Sequence, residues 1–199
     1  YAAVFRRLLG AAVSGHVIDT ACSSSLYAVA LGMRSLAERA CDVAIAGGVY
    51  EVTMGNSCLF SQFGGLSATG SHALDAGADG VVFGTGAAVL ILKRLPDAIA
   101  ADDRVFGVIR GVGLSSDGKS PAVNSPQHKG QILAMQRAYR AAGISPHATQ
   151  LVEAHVTATL VGDATELKSL NQVYAGARGI ELRSLKSLVG HTGWAAGIA

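Results

Sequence analysis

The residue best equipped for covalent chemistry is Cys22, in Asp19-Thr20-Ala21-Cys22-Ser23-Ser24-Ser25-Leu26. Gly15 to Thr20 is predicted as a short strand. From Ser24 the apolar positions Leu26, Val29, Ala30, Met33 and Leu36 fall on one helical stripe that should end near Arg39. A helix therefore begins at or just after Cys22. Helix N-termini carry partial positive charge, and a thiol placed there ionises more readily. Its backbone N–H can also face a developing oxyanion. The alternative is a buried, inert thiol, which is the reading for Cys41 and Cys58. Two histidines stand in comparable settings. His155 follows the predicted strand Leu151–Ala154, and His191 follows the predicted strand Leu182–Leu185. Sites in open α/β sheets gather beyond the carboxyl ends of strands, so Cys22, His155 and His191 can meet there. A lone histidine is more often structural, and His16, His72, His128 and His147 receive no role.

The elements that must position these residues alternate. Val43–Ala46 suits a buried parallel strand. Residues 52 to 80, rich in Gly, Ser and Thr, read as a long ordered loop. Val81 to Lys93 is a strand bent at Gly84 and Gly86, where glycine permits close backbone packing. Pro96–Asp103 is a polar connection, Val105–Gly113 a strand and Ser115–Asn124 a loop. Ser125-Pro126 predicts an N-cap with Pro at the first helical position. That helix turns Ile132, Met135 and Tyr139 inward and stops at Gly143. Asp163-x-x-Glu166 reads as a helix start resembling a capping box, and Thr192 to Ala199 begins a last helix. The alternation indicates an α/β layered fold of two loosely similar halves, 1–95 and 96–199.

Composition narrows the function. Of 199 residues, 50% are hydrophobic and 15% charged, against about 25% charged in typical soluble proteins. This excludes a disordered chain and suggests covered sheets or a large face that needs a partner. A net charge of +2 without a basic run argues against nucleic acid. Three scattered cysteines argue against a disulfide framework or a zinc site and fit a reducing cytoplasm. Tyr1–Phe5 does not have the pattern expected of a signal peptide, and Val81–Leu92 is too short to span a bilayer. Gly84-Thr85-Gly86 is not a dinucleotide loop, and no G-x-S-x-G supports a serine hydrolase. The abrupt ends predict a fragment.

TACSSSL, EAHVTATLVGDATEL and SLKSLVGH resemble the three active-site segments of β-ketoacyl synthases, the condensing enzymes of fatty-acid and polyketide assembly. The stretch from CDVAIAGGV to GTGAAVLILKRL is similar to the same family, especially its polyketide type. The resemblance implies a thiolase-like layered αβαβα fold, here incomplete, with parts of both duplicated halves. The missing C-terminal part includes the Phe-containing loop that supplies the family's second oxyanion N–H. It implies Cys22 as the nucleophile that takes the acyl chain. His155 and His191 donate to the malonyl-type thioester carbonyl, and Lys186 orders the site. Glu166 is the implied salt-bridge partner of Lys186, and Asp163 starts the following helix. By the same resemblance, Thr157 and Thr159 are expected to contact the phosphopantetheine arm of an acyl carrier protein. No metal or organic cofactor is implied. The implied partners are the carrier protein, neighbouring synthase domains and a second copy paired along Gly15–Thr20.

The chain departs from the family at His155-Val156-Thr157-Ala158-Thr159, where the family reads His-Gly-Thr-Gly-Thr. The expectation is ordinary negative φ at Val156 and Ala158, with their methyl groups narrowing the pantetheine channel. Two other readings are a thiolase-like acyltransferase and a non-catalytic, dimerising or carrier-binding piece. The paired histidines disfavour starter-type enzymes, whose pattern is Cys-His-Asn. The presence of Cys22 disfavours a chain-length-type subunit. On its own the 199-residue piece is expected to be inactive.

Overall fold

The computed structural model describes residues 2–10, 13–119, 122 and 125–199. Helix α1 (Ala2–Leu9) comes first, and α2 (Ser24–Ala37) carries Val29 and Leu36 into the interior. Strand β1 (Ala44–Tyr50) is followed by α3 (Met54–Gln62), β2 (Gly86–Leu92) and α4 (Leu95–Ala100). β1 and β2 pair antiparallel, from Ala44 opposite Leu92 to Tyr50 opposite Gly86. The expected parallel strand is thus antiparallel. An apolar run specifies burial but not the direction of its partner. α2 covers one face of this pair. It approaches closely at Gly32, where a Cβ would lie 3.3 Å from both Ala44 Cβ and Leu92 Cδ1.

The other face is bare. Ile45, Val49, Val89 and Ile91 are 52, 68, 61 and 76% exposed. Strand alternation puts them on one side, in the cross-strand pairs Ile45–Ile91, Gly47–Val89 and Val49–Ala87. Part of the chain's excess of apolar residues resides here, with others exposed at Val17, Met54, Phe106 and Leu188.

In the second half, α5 (His128–Ala142) packs on α6 (Leu160–Val173). Strands β3 (Leu151–Glu153) and β4 (Glu181–Arg183) pair parallel, with α6 as the crossover between them. Ala154, Val156 and Leu170 form a buried cluster, flanked by Met135, Val152 and Tyr174. Gly143 ends α5 in the left-handed region, φ 66°, as its position after the stripe predicted. The chain closes with the short helix α7 (Lys186–Val189) and a 3-10 turn, Gly193–Ala195, in place of the expected helix from Thr192.

Several other expectations are corrected. Residues 13–19 have no regular secondary structure, and Thr20 makes only a single bridge with Cys22. Gly15–Thr20 has no strand partner among the described residues, and an isolated extended segment has no ladder to stabilise it. Residues 105–113 likewise lack a strand partner, and Phe106 is exposed. Within the supposed loop 52–80 lies α3, capped by Thr53 Oγ1, which accepts the Asn56 N–H at 3.3 Å. α3 buries no residue, so it leaves no apolar stripe to read. Pro96 opens α4 rather than a connection, as a proline in a first turn can. α5 starts after Pro126, because Asp117 Oδ2 accepts the Gln127 N–H at 3.2 Å and holds Gln127 extended. Part of the predicted loop Ser115–Asn124, at 120, 121, 123 and 124, lies outside the described residues. Cys58 is exposed and Cys41 half-buried, so neither is the buried thiol expected. Among the described residues no helix is long and apolar enough to cross a membrane.

Candidate active site

The cysteine turn is knitted before α2 begins. Asp19 Oδ1 accepts the Ala21 N–H at 3.0 Å, and the Ser24 hydroxyl accepts the Thr20 N–H at 2.9 Å while donating to Ala21 O at 2.7 Å. Ala21 sits at φ 53°, an uncommon conformation for a residue with a Cβ, and turns the chain sharply into Cys22. Cys22 is half-buried and lies one residue ahead of the Ser23 N-cap of α2. From the far end of the chain, Trp194 Nε1 donates to Asp19 Oδ1 at 3.2 Å, and the Gly197 N–H donates to Ser25 Oγ at 3.1 Å. Residues near 195 thus anchor the turn near 20.

His191 is pinned by backbone on both sides. Its N–H donates to Val82 O at 2.7 Å, and its carbonyl accepts the Gly84 N–H at 3.1 Å. This bridge joins the two halves and requires glycine. A Cβ on Gly84 would lie 2.1 Å from Val189 O, and Gly190 adopts φ 77°. Close backbone approach is the role predicted for the Gly84 bend. The His191 ring is 3% exposed and stacks near Phe83, centroids 5.8 Å apart at 30°.

His155 is held through Glu166. One carboxylate oxygen accepts the His155 N–H and the other the Val156 N–H, each at 2.8 Å. With both oxygens so engaged, Glu166 makes no ion pair with Lys186 among the described residues. It acts on Lys186 only as a nearby charge, as does Glu153. The implied Lys186–Glu166 salt bridge is corrected accordingly. Sequence reading missed Glu153, whose Oε1 accepts the Leu185 N–H at 2.6 Å and so fixes the turn that presents Lys186. A carboxylate directly before Ala154-His155 was the available signal. Asp163 does not start α6, which begins three residues earlier at Leu160. Its buried carboxylate instead accepts the Leu74 N–H at 2.9 Å, tying the 70s loop to α6. Burial raises its pKa. Thr157 and Thr159 are half-buried, with their Oγ1 atoms 3.5 Å apart.

The structure brings Cys22, His155 and His191 together. Cys22 Sγ is 2.9 Å from His191 Nε2, and the His155 and His191 rings meet edge to face with centroids 5.3 Å apart. Burial lowers the His191 pKa to about 3, helped by His155 and Lys186. For His155, burial and then Lys186 also depress the pKa, although its surface is more open to solvent. Burial raises the Cys22 thiol, against opposing contributions from its backbone hydrogen bond and Lys186. The resting pair is therefore a neutral thiol beside a neutral imidazole, not a thiolate–imidazolium pair. The thiolate fraction grows with pH until the thiol pKa is passed, and that pKa lies above the ordinary value. Alkylation of Cys22 by iodoacetamide should rise about tenfold per pH unit from pH 6 to 8 with no plateau, followed by peptide mass spectrometry. A plateau near neutral pH would reveal an ion pair instead.

The departure at 156–158 divides in two. Val156 keeps negative φ, as expected, but its side chain is 1% exposed and lies in the Ala154–Leu170 cluster. It packs inward and does not narrow a channel. Ala158, expected at negative φ, adopts φ 62° and is fully buried. Its carbonyl accepts the Gly80 N–H at 2.9 Å, and this tether holds the strained conformation. A left-handed alanine costs about 1–2 kcal/mol relative to its preferred regions. Ala158→Gly should therefore raise stability by about 1 kcal/mol, read as a higher denaturant midpoint at unchanged slope.

Residues 4–98 match the N-terminal domain of β-ketoacyl synthases and residues 106–199 match their C-terminal domain. The chain belongs to the β-ketoacyl synthase family. It is 44% identical over 182 residues to a mycocerosic acid synthase-like polyketide synthase of Mycobacterium tuberculosis, covering 90% of this chain and 9% of that protein. It is 42% identical over 194 residues to a phthioceranic/hydroxyphthioceranic acid synthase of Mycobacterium bovis, again spanning 9% of that protein. Among solved structures it is similar to the ketosynthase from module 6 of the bacillaene synthase of Bacillus subtilis 168. The TM-score is 0.94 at 37% identity, over 99% of this chain and 36% of that one. The chain thus carries ketosynthase sequence of the polyketide-synthase type and part of the thiolase-like fold, and it spans about a tenth of the length of the curated relatives it matches.

Proposed function

We propose that Cys22, His155 and His191 carry out decarboxylative Claisen condensation on carrier-protein thioesters. The observation that carries this reading is the 2.9 Å approach of Cys22 Sγ to His191 Nε2 with the His155 ring alongside. In the first half-reaction the Cys22 sulfur attacks an acyl thioester, its proton passes to His191 Nε2, and the released carrier thiol takes that proton. In the second, the C–CO2 bond of a malonyl-type thioester breaks and carbon dioxide leaves. The electron pair becomes an enolate with charge on the thioester oxygen. Imidazole N–H groups of His155 and His191 donate to that oxygen, and one such preorganised donor is worth roughly 3–4 kcal/mol. The enolate carbon attacks the acyl carbonyl on Cys22, a C–C bond forms, the C–S bond to Cys22 breaks, and the departing thiolate takes a proton from solvent. A neutral imidazole has one N–H and one lone pair, so His191 serves loading as the tautomer with a lone pair on Nε2 and condensation as the tautomer with hydrogen on Nε2, and burial keeps both rings neutral for these roles.

Lys186 supplies positive charge near the sulfur, and Thr157 and Thr159 contact the phosphopantetheine arm of the acyl carrier protein. No dissociable cofactor enters. The halves divide at 95/96, three residues inside the end of the first matched stretch, 4–98, and ahead of the second, 106–199. The partners are neighbouring synthase domains in a cytoplasmic synthase and a second copy of the chain. Gly15–Thr20 is the pairing edge, and the backbone of residues 15–18 has no hydrogen-bond partner among the described residues. The 199-residue chain alone does not complete condensation, because its β1–β2 sheet leaves one apolar face uncovered.

The test is acyl transfer from a labelled acyl-pantetheine thioester to Cys22 of the full-length protein, followed by condensation with a malonyl carrier protein. Cys22→Ala should accept no label, while His155→Ala should load acyl chain but fail to condense. Loading of the Cys22→Ala variant would overturn the assignment.

A further inference from the structure

We infer that the same three side chains form a binding site for a soft divalent cation, zinc above all, that reversibly shuts off the nucleophile. This inference rests on the proposed role of Cys22. Cys22 Sγ and one ring nitrogen from each of His155 and His191 lie within 4.8 Å of one another. In tetrahedral zinc sites, Zn–S is about 2.3 Å and Zn–N about 2.0–2.1 Å, which places ligand atoms roughly 3.3–3.6 Å apart. Side-chain rotations of about an ångström would bring the three atoms to that spacing. Thiolate and imidazole are the ligands that select zinc or copper over magnesium and calcium. His155 is exposed, so the cluster is open on one side to a cation and to a water as fourth ligand. The atoms balance simply. The Cys22 S–H bond breaks, its proton leaves to solvent and a sulfur–metal bond forms, so the bound thiolate no longer attacks an acyl carbonyl.

Two features make the site reversible rather than structural. His191 Nδ1 is buried without a hydrogen-bond partner, so the outer support that strengthens metal-bound histidines is missing. Lys186 lies close enough for its charge to act on Cys22 and both imidazoles, and it opposes an incoming dication. Cys41 and Cys58, also free thiols, have no two-histidine partner among the described residues and serve as internal controls.

The probe is zinc alone, added to the full-length protein during iodoacetamide treatment, with each cysteine followed by mass spectrometry. Zinc should slow alkylation of Cys22 at least about tenfold, leave Cys41 and Cys58 unchanged, and be reversed by a chelator. Cobalt in its place should give one equivalent of a thiolate-to-metal charge-transfer band, lost in Cys22→Ser. In His155→Ala, zinc protection should weaken about tenfold or more. Equal protection of all three cysteines, or a cobalt band that survives Cys22→Ser, would overturn the site. If acyl loading proceeds but zinc gives no protection, the cation inference fails and the condensing role stands. If the cobalt band appears but Cys22 accepts no acyl group, the condensing role fails and the cation site stands.

Discussion

Gly84→Ala in the full-length protein is expected to abolish acyl loading and to lower stability by about 3 kcal/mol or more. The methyl group would stand 2.1 Å from Val189 O and 3.2 Å from Val189 C, both backbone atoms that cannot rotate away. Relief requires the 82–84 segment to part from 189–191. That breaks the His191 N–H bond to Val82 O and the Gly84 N–H bond to His191 O. His191 then loses its register with Cys22, although neither residue has been altered. The measurements are label transfer to Cys22 and a denaturant midpoint. A variant that loads acyl chain at the wild-type rate would show that His191 is held by something other than this bridge.

Glu166→Ala is expected to cut condensation roughly a hundredfold, with a stability loss of about 2 kcal/mol. Both Glu166 oxygens accept backbone N–H groups of the His155 loop at 2.8 Å. Without them the peptide planes at 155 and 156 lose their charge-assisted anchors, and the imidazole loses its fixed direction. Acyl loading, which uses Cys22 and His191, should fall far less than condensation. Glu166→Gln should resemble the alanine variant, because an amide presents one acceptor and one donor to two donors. Equal losses in loading and condensation would point to general unfolding rather than misplacement of His155. Wild-type condensation in Glu166→Gln would point to a simple packing role.

The meeting of Cys22, His155 and His191 was legible because each residue leaves a local mark. Cys22 precedes an amphipathic stripe, and His155 and His191 each follow a short apolar run. A helix with one buried face and a left-handed glycine after it, as at Leu36 and Gly143, are likewise local properties. The family resemblance rested on the same short segments. Pairing was not legible. That β1 and β2 run antiparallel, and that Gly15–Thr20 and 105–113 find no strand partner among the described residues, depends on segments far apart in sequence.

Carboxylate partners were equally hidden. Glu166 looked like a counter-ion and Asp163 like a cap, because a carboxylate's sequence neighbours do not reveal which backbone N–H groups lack a partner. Only the folded chain sets Glu166 against His155 and Val156, and Asp163 against Leu74, 89 residues away. Ala158 gives the clearest case. Its residue type favours negative φ, yet the Gly80–Ala158 hydrogen bond and complete burial hold it at 62°. Local preference amounts to about 1–2 kcal/mol at such a position, and tertiary hydrogen bonding with close packing outweighs it. Residue type and local spacing thus marked the candidate groups, while tertiary contacts decided where they meet, their directions and the backbone that carries them.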